Sequence, residues 1–194
     1  MRIFDNNNGG SNTKTGKVVR KFNIEDGRSV ILRTPKWDDL DGLMELINSL
    51  IEEKAEICIT SKFTREEEAK WLHKTLLQLE KNEGFFLVAE VDGSVVASSN
   101  ISILCGDEKH VGVVGIVVKS GFRDSNIGSE IMKTLVEQAA LLKLKALMLQ
   151  VFATNKRAIH VYEKIGFSQS GRIPKKHFRL GKHIDEIIMT RQIN

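Results

Sequence analysis

The segment Val113–Leu142 (VVGIVVKSGFRDSNIGSEIMKTLVEQAALL) constrains this 194-residue chain more than any other. Val113 to Val118 is an apolar run that suits a strand buried on both faces. A polar loop follows, Lys119 to Ser125. Apolar residues then recur at Ile127, Ile131, Leu135 and Ala139, with Met132 and Leu142 beside them. Spacings of four and three mark one apolar face of a helix. The unit is therefore strand, tight loop, helix.

A helix start offers several backbone N–H groups without intrahelical partners, and the aligned peptide dipoles make that end positive. Anions bind there readily. Gly128 has no side chain to obstruct a ligand, and Arg123 brings a planar cation that can fork onto phosphate oxygens. The loop reads as an anion cradle, most simply for a pyrophosphate, or as an ordinary strand–helix connection carrying a surface arginine. It is not a nucleotide P-loop, because no Gly-Lys-Ser/Thr follows. It is not a Rossmann loop, because the glycine triplet is missing.

Composition bounds the rest. A chain of this length is expected to make one domain with its own core. Hydrophobic residues at 41% and charged residues at 28% are those of a soluble globular protein. No apolar run reaches membrane-spanning length, and no signal-peptide core is legible near the N-terminus. Cys58 and Cys105 lack metal-type spacing, so no metal is expected, and a reducing cytoplasm is the expected setting. The net charge of +4 is mildly basic, but no basic run is interleaved with aromatics, so nucleic acid is not an expected partner.

In chain order, residues 1–21 are polar and read as a flexible tail, with a single domain over 22–194. Ser29–Arg33 reads as a strand. Trp37, Leu40, Leu43, Met44, Ile47 and Leu50 mark a helix face, with Trp37 assigned to the core. Thr64 followed by Glu67 is a capping-box signature for a helix running to about Lys81, with Gly84 as its stop. Glu66, Glu67 and Glu68 suit that helix's positive end; alternatively they join Glu52, Glu53 and Glu56 in steering a cationic amine. Asp92-Gly93 between the apolar runs Phe85–Val91 and Val95–Ile103 predicts a hairpin. Ala146–Phe152 reads as a buried strand, and Asn155 is a candidate cap for a helix carrying Ala158, Ile159, Tyr162 and Ile165 and ending at Gly166. Phe167 begins a further strand, and Ile184–Thr190 makes the last.

Arg123-Asp124-Ser125-Asn126-Ile127-Gly128-Ser129 resembles the acetyl-CoA loop of the GCN5-related N-acetyltransferases (GNAT), whose pattern is Gln/Arg-x-x-Gly-x-Gly/Ala after a strand. Arg123 and Gly128 match; Asn126 replaces the first glycine, a mild change because asparagine tolerates left-handed backbone. Leu149–Phe167 (LQVFATNKRAIHVYEKIGF) resembles the family's second motif, with Asn155, Ala158, Tyr162, Gly166 and Phe167 matching. The ending GRIPKKHFRLGKHIDEIIM is similar to that of polyamine-type members. The resemblance covers roughly residues 85–190, and more weakly from residue 29.

The resemblance implies an α/β fold: a twisted mixed sheet of about seven strands flanked by helices, with two central parallel strands that splay apart. It implies acetyl-CoA as cosubstrate, with backbone groups of Ile116, Val117 and Val118 pairing with the pantetheine arm and Arg123, Asp124, Ser125, Asn126, Ile127, Gly128 and Ser129 around the pyrophosphate. Asn155 and Tyr162 are implied near the pantetheine and thiol. Lys164 is implied at a nucleotide phosphate, or is a surface lysine.

The chemistry asks for a base to free the amine, donors for the carbonyl oxygen and an acid for the leaving thiolate. Tyr162, the only tyrosine, holds the family's acid position, although a core tyrosine is the plainer alternative. No base is legible. The key strand lacks an acid, and Gln150 stands where the branch acting on protein N-termini commonly has a glutamate. His110, Glu56, Glu90 and a water relay are all open. The expected function is acetyl transfer to a primary amine, most simply a polyamine, by direct attack in a ternary complex. The alternatives are a protein N-terminal or lysine acetyltransferase, including a ribosomal-protein type, and a non-catalytic acyl-CoA sensor. The resemblance also leaves a homodimer open.

Overall fold

The computed structural model describes residues 14–194. Within them one eight-stranded sheet carries four α-helices. The strands are β1 (Val18–Asn23), β2 (Ser29–Arg33), β3 (Gly84–Val91), β4 (Ser94–Ile103), β5 (Val111–Val118), β6 (Ala146–Phe152), β7 (Ser168–Arg179) and β8 (Lys182–Gln192); the helices are α1 (Leu40–Glu52), α2 (Arg65–Lys81), α3 (Ile127–Leu141) and α4 (Lys156–Lys164). Their order across the sheet is β1-β2-β3-β4-β5-β6-β8-β7. Every pairing is antiparallel except β5 with β6. No helix among the described residues is long and apolar enough to cross a membrane.

The strand count exceeds the expected seven because of β1. The expected tail over residues 1–21 includes residues 1–13, which lie outside the described residues; the remainder is held. Val18–Asn23 pairs with β2, and Arg20 reaches Glu130 at 3.0 Å and Glu137 at 2.6 Å on α3. Lys14 Nζ donates to Asn82 Oδ1 at 2.6 Å. The domain thus extends to at least Lys14. An edge strand with half-exposed side chains carries little hydrophobic signal, which is why its sequence reads as a tail.

The two faces of the sheet hold two apolar clusters. Leu40, Leu43, Leu46 and Leu50 of α1 and Leu72 of α2 bury against Val88 and Val95 on one face. Ile127, Ile131, Met132, Leu135 and Ala139 of α3 bury on the other with Leu87, Ala89, Ala97 and Leu149. The period-two alternation along β3 assigns Val88 to one cluster and its neighbours to the other. Trp37 leaves the predicted core: it lies in a 3-10 turn preceding α1 and is half exposed. That turn is fixed instead by Arg33, whose guanidinium forks onto both carboxylate oxygens of buried Asp39 at 2.7 Å and also bonds Glu90 at 2.8 Å.

Turn chemistry follows the sequence closely. Thr64 and Glu67 close the capping box of α2. Asn82, left-handed at φ 57°, ends that helix, and Gly84, expected as its stop, opens β3 instead. Asp92 and Gly93 both take positive φ in the hairpin turn. The three glutamates at the start of α2 have separate fates. Glu66 pairs with Lys70, Glu67 serves the cap, and Glu68 turns inward and is buried.

Burial pushes the Glu68 carboxyl up from 4.5 to about 7. Between those values the folded chain binds a proton that the unfolded chain releases. The stability this contributes is fully present below the unfolded value and is lost as pH rises through about 7. Glu68→Gln removes the titration. In thermal melts it should stabilise the protein by up to about 3 kcal/mol at pH 8 and far less at pH 5. Equal shifts at the two pH values would refute this account.

Candidate active site

β5 and β6 pair over only three positions, Val111–Ala146, Gly112–Leu147 and Val113–Met148. Gly112 makes that contact possible: a Cβ there would lie 2.6 Å from Ile101 and 2.9 Å from both Leu144 and Leu147. Beyond Val113, β5 stays bonded to β4 as far as Val118, while β6 stays bonded to β8 as far as Phe152. The strands therefore part, and a cleft of about 760 Å³ opens between them. The expected burial of Val113–Val118 on both faces holds for Val114 only; the others are half-buried, Gly115 to Val118 where they border this cleft.

Ile116, Val117 and Val118 line the cleft, and their β6-side edge has no strand partner. An extended ligand can therefore be hydrogen-bonded there as an added strand. At the end of β5 the chain turns through Asp124 (φ 63°) and Asn126 (φ 66°), both left-handed. Asn126 thus adopts the backbone that a glycine would otherwise supply. α3 follows, with Gly128 in its first turn, where a Cβ would meet nothing within 4 Å. Arg123, Asp124, Asn126, Gly128 and Ser129 all line the cleft.

Three predicted cradle or nucleotide residues stand apart from it. Ile127 is fully buried in the core beneath α3, so its side chain serves packing. Ser125 Oγ donates to the Phe122 carbonyl at 2.6 Å and so shapes the loop. Lys164 is exposed at the far end of α4 and does not border the cleft.

The cradle's charges are internally paired. Arg123 Nε donates to the Val118 carbonyl at 3.0 Å, and its Nη2 is ion-paired with Glu53 from the α1–α2 connection. Asp124 pairs with Arg157 of α4 at 2.7 Å. An incoming anion meets Arg123 already engaged by a carboxylate.

α4 supplies the cleft's other wall. Asn155 Oδ1 accepts from the Ala158 N–H at 3.1 Å, so it caps α4 as well as lining the cleft. Tyr162 lines the cleft yet is buried, and burial pushes its hydroxyl up to about 12. It stays protonated at neutral pH and can donate.

The remaining wall comes from the α1–α2 connection and the β7–β8 hairpin. Glu56 lines the cleft and accepts from Thr154 Oγ1. Glu186 lines it too, with its side chain only 2% exposed, and bonds Lys176 and His177 Nε2, the latter at 3.0 Å. His177 stacks on Phe152 with ring centroids 4.3 Å apart, and Arg179 reaches the Ile57 carbonyl at 3.4 Å. A β7 bulge between Ile173 and His177, containing Pro174 and positive-φ Lys175, brings Lys176 and His177 to Glu186. Cys58 also meets His177 and Glu186, with candidate ligand atoms within 4.8 Å of one another. Burial and the Glu186 charge push the Cys58 thiol up, keeping it protonated.

Of the base candidates, only Glu56 reaches the cleft. His110 is exposed beyond the closed end of the β5–β6 pair, its carbonyl bonded to the Lys145 N–H at 2.7 Å. Glu90 is committed to Arg33. Sequence reasoning missed Glu186, His177 and Cys58. A readable signal existed for Glu186: in Ile184-Asp185-Glu186-Ile187-Ile188 the alternation puts it on the side of Ile184 and Ile188, an acid at an apolar-face position.

Comparison with known proteins agrees with this geometry. The L-amino acid N-acetyltransferase of Escherichia coli (strain K12) is 34% identical over 107 residues, which span 54% of this chain and 66%, just under two thirds, of that protein. An N-acetyltransferase from Staphylococcus aureus Mu50 superposes with a TM-score of 0.78 at 18% identity, covering 85% of this chain and 99% of that one. A phosphinothricin acetyltransferase from Sinorhizobium meliloti, solved in complex with acetyl-CoA, gives 0.76 at 17% identity, covering 85% and 89%. Residues 45–167 match the profile of the acetyltransferase (GNAT) family, and the chain belongs to that family.

Proposed function

We propose that this protein transfers the acetyl group of acetyl-CoA to the amine of an amino acid or a similarly zwitterionic small molecule, in the cytoplasm, by direct attack in a ternary complex. The observation that carries the acetyl-CoA half is the unpaired edge of β5 at Ile116–Val118, which runs from the interior of the cleft toward the start of α3. That edge offers backbone partners to the pantetheine amides. Arg123, Gly128 and the first N–H groups of α3 suit a pyrophosphate at its end. A cleft of about 760 Å³ is of the size that holds a ligand of this class.

The residues divide the chemistry. Backbone N–H groups of β5 polarise the acetyl carbonyl, and the β5 and α4 walls hold donor and acceptor in line. Tyr162 donates its phenolic proton to the departing sulfur and is reprotonated from solvent. A non-catalytic sensor would have no use for a buried, protonated tyrosine at this point.

The acceptor reading rests on charge. The polyamine expectation draws on the acidic first half and on the ending, but most of those acids, Glu56 excepted, are engaged elsewhere. Glu52 pairs with Lys62, Glu53 with Arg123 and Glu66 with Lys70, while Glu67 caps α2 and Glu68 is buried. The cleft is instead lined by the carboxylates Glu56 and Glu186, with cations next to the lining, Lys176 on Glu186 and Arg179 on the Ile57 carbonyl. Adjacent charges of both signs suit a molecule carrying an ammonium and a carboxylate, and a relative is named for L-amino acids. A protein N-terminus, which lacks a free carboxylate beside its amine, is the second reading.

Thiol release should therefore be seen with free amino acids in preference to spermidine and short peptides. Arg179→Gln should raise KM about tenfold for the amino acid and leave an amine lacking the carboxylate unaffected; faster turnover of spermidine by the wild type would sink this reading. Tyr162→Phe should lower kcat by about 10²-fold with acetyl-CoA affinity retained, and unchanged turnover would remove the acid role. Glu53→Gln frees Arg123 and should tighten acetyl-CoA binding by roughly two- to fivefold, the size of a partly exposed ion pair. Calorimetry showing weaker binding would refute the competition.

A further inference from the structure

The acceptor ammonium must lose a proton before its nitrogen can attack, and neither β5 nor position 150 offers an acid to take it. We infer that Glu186 is the general base of this site, with His177 as a group that holds its carboxylate in place. This rests on the acetyl-transfer reading above.

Register puts the carboxylate where it is needed. Gln150 faces Ile188 across β6 and β8, and Phe152 faces Glu186. Side chains two apart on a strand share a face, so Glu186 lies diagonal to Gln150 on the acceptor side of the sheet. A carboxylate absent from one strand is thus supplied from its neighbour, and both residues line the cleft.

The surroundings suit the role. Glu186 is nearly inaccessible and engaged by one partner on each oxygen, Lys176 on Oε1 and His177 on Oε2. Each carboxylate oxygen has two lone-pair directions, so each retains one for a new donor. The groups facing it are Lys176, His177 and Arg179 from the hairpin, with Glu56 and Cys58 from the α1–α2 connection. Lys176 on Oε1 makes the pocket a poor host for a divalent cation, despite the nearby Cys58 and His177. Cys58 remains a thiol and is not a competing nucleophile.

The step balances. The nitrogen lone pair forms the N–C bond, the C–S bond breaks and its electron pair leaves with sulfur. One proton of the ammonium goes to Glu186 and on to solvent, which frees the lone pair; the second leaves the nitrogen to solvent once the N–C bond has formed, sulfur takes the Tyr162 proton, and Tyr162 is reprotonated from solvent.

The test compares pH profiles of kcat/KM for the wild type and Glu186→Gln, read by thiol release with the best amino acid, alongside acetyl-CoA affinity by calorimetry. Loss of a base predicts a 10²- to 10³-fold fall in kcat, acetyl-CoA affinity within about twofold, and loss of the wild type's acid limb. The variant's residual rate should climb about tenfold per pH unit as free amine accumulates. A kcat within about threefold of wild type, or an unchanged acid limb, overturns the assignment. If Glu186→Gln does not fold, Glu186→Asp serves, because withdrawing the carboxylate by one methylene should cost at least about tenfold in kcat with the acid limb retained; wild-type kcat in that variant overturns the assignment equally. A wild type inactive with every amine refutes the acetyl-transfer reading itself, whereas an active wild type with an indifferent Glu186 refutes only the base.

Discussion

Three residue pairs between β5 and β6 govern the arrangement of everything else. Parallel pairing joins the strands only long enough to fix their relative position, and after Val113 each follows a different antiparallel partner. Twist then drives their ends apart. Both helices that border the cleft follow these diverging ends, α3 after β5 and α4 after β6, so the site's two walls are set by one short junction. Gly112 lies at its middle, where Ile101, Leu144 and Leu147 crowd the backbone from three sides. A longer pairing would close the cleft, and a weaker one would leave α3 and α4 without a fixed separation.

Inside the cleft the protein satisfies most of its own charges, the cations Lys54 and Lys156 excepted. Arg123 is held by Glu53, Asp124 by Arg157, Glu56 by Thr154, and Glu186 by Lys176 and His177. Buried or half-buried ions left alone would be costly, so internal partners are the expected state of a charged cleft. Binding is then an exchange of partners, and the net gain from each charged contact is smaller than its geometry suggests.

The β5–α3 and α4 sides of the cleft were legible because they are local. The β5–loop–α3 unit, the capping box of α2, the Asp-Gly hairpin and the Asn155-to-Phe167 segment each carry their signal within a few residues, and each stands where periodicity and turn chemistry put it. The acceptor half was not legible, because it is assembled over long separations. Cys58 and Glu186 meet only through the fold, and Lys176 and His177 reach Glu186 only through a bulge that no pattern announces. His110 and Glu90 show the converse: plausible types near the right strands, one beyond the closed end of the junction and the other bound to Arg33. Trp37 and β1 misled because an exposed aromatic and a half-exposed edge strand do not follow the burial their composition suggests.

The β7–β8 hairpin has a consequence for how such a chain can change. It begins at Ser168, one residue beyond the stretch shared with the family, and β7 lies at the sheet's edge. Glu186, Lys176 and His177 hang on it, and of its two strands only β8, through Ile187 and Met189, enters the core. Insertions or exchanges in an edge hairpin disturb few buried contacts. New side chains facing the cleft are therefore accessible by mutation of the outermost strand, β7, with the β5–loop–α3 unit left intact behind it.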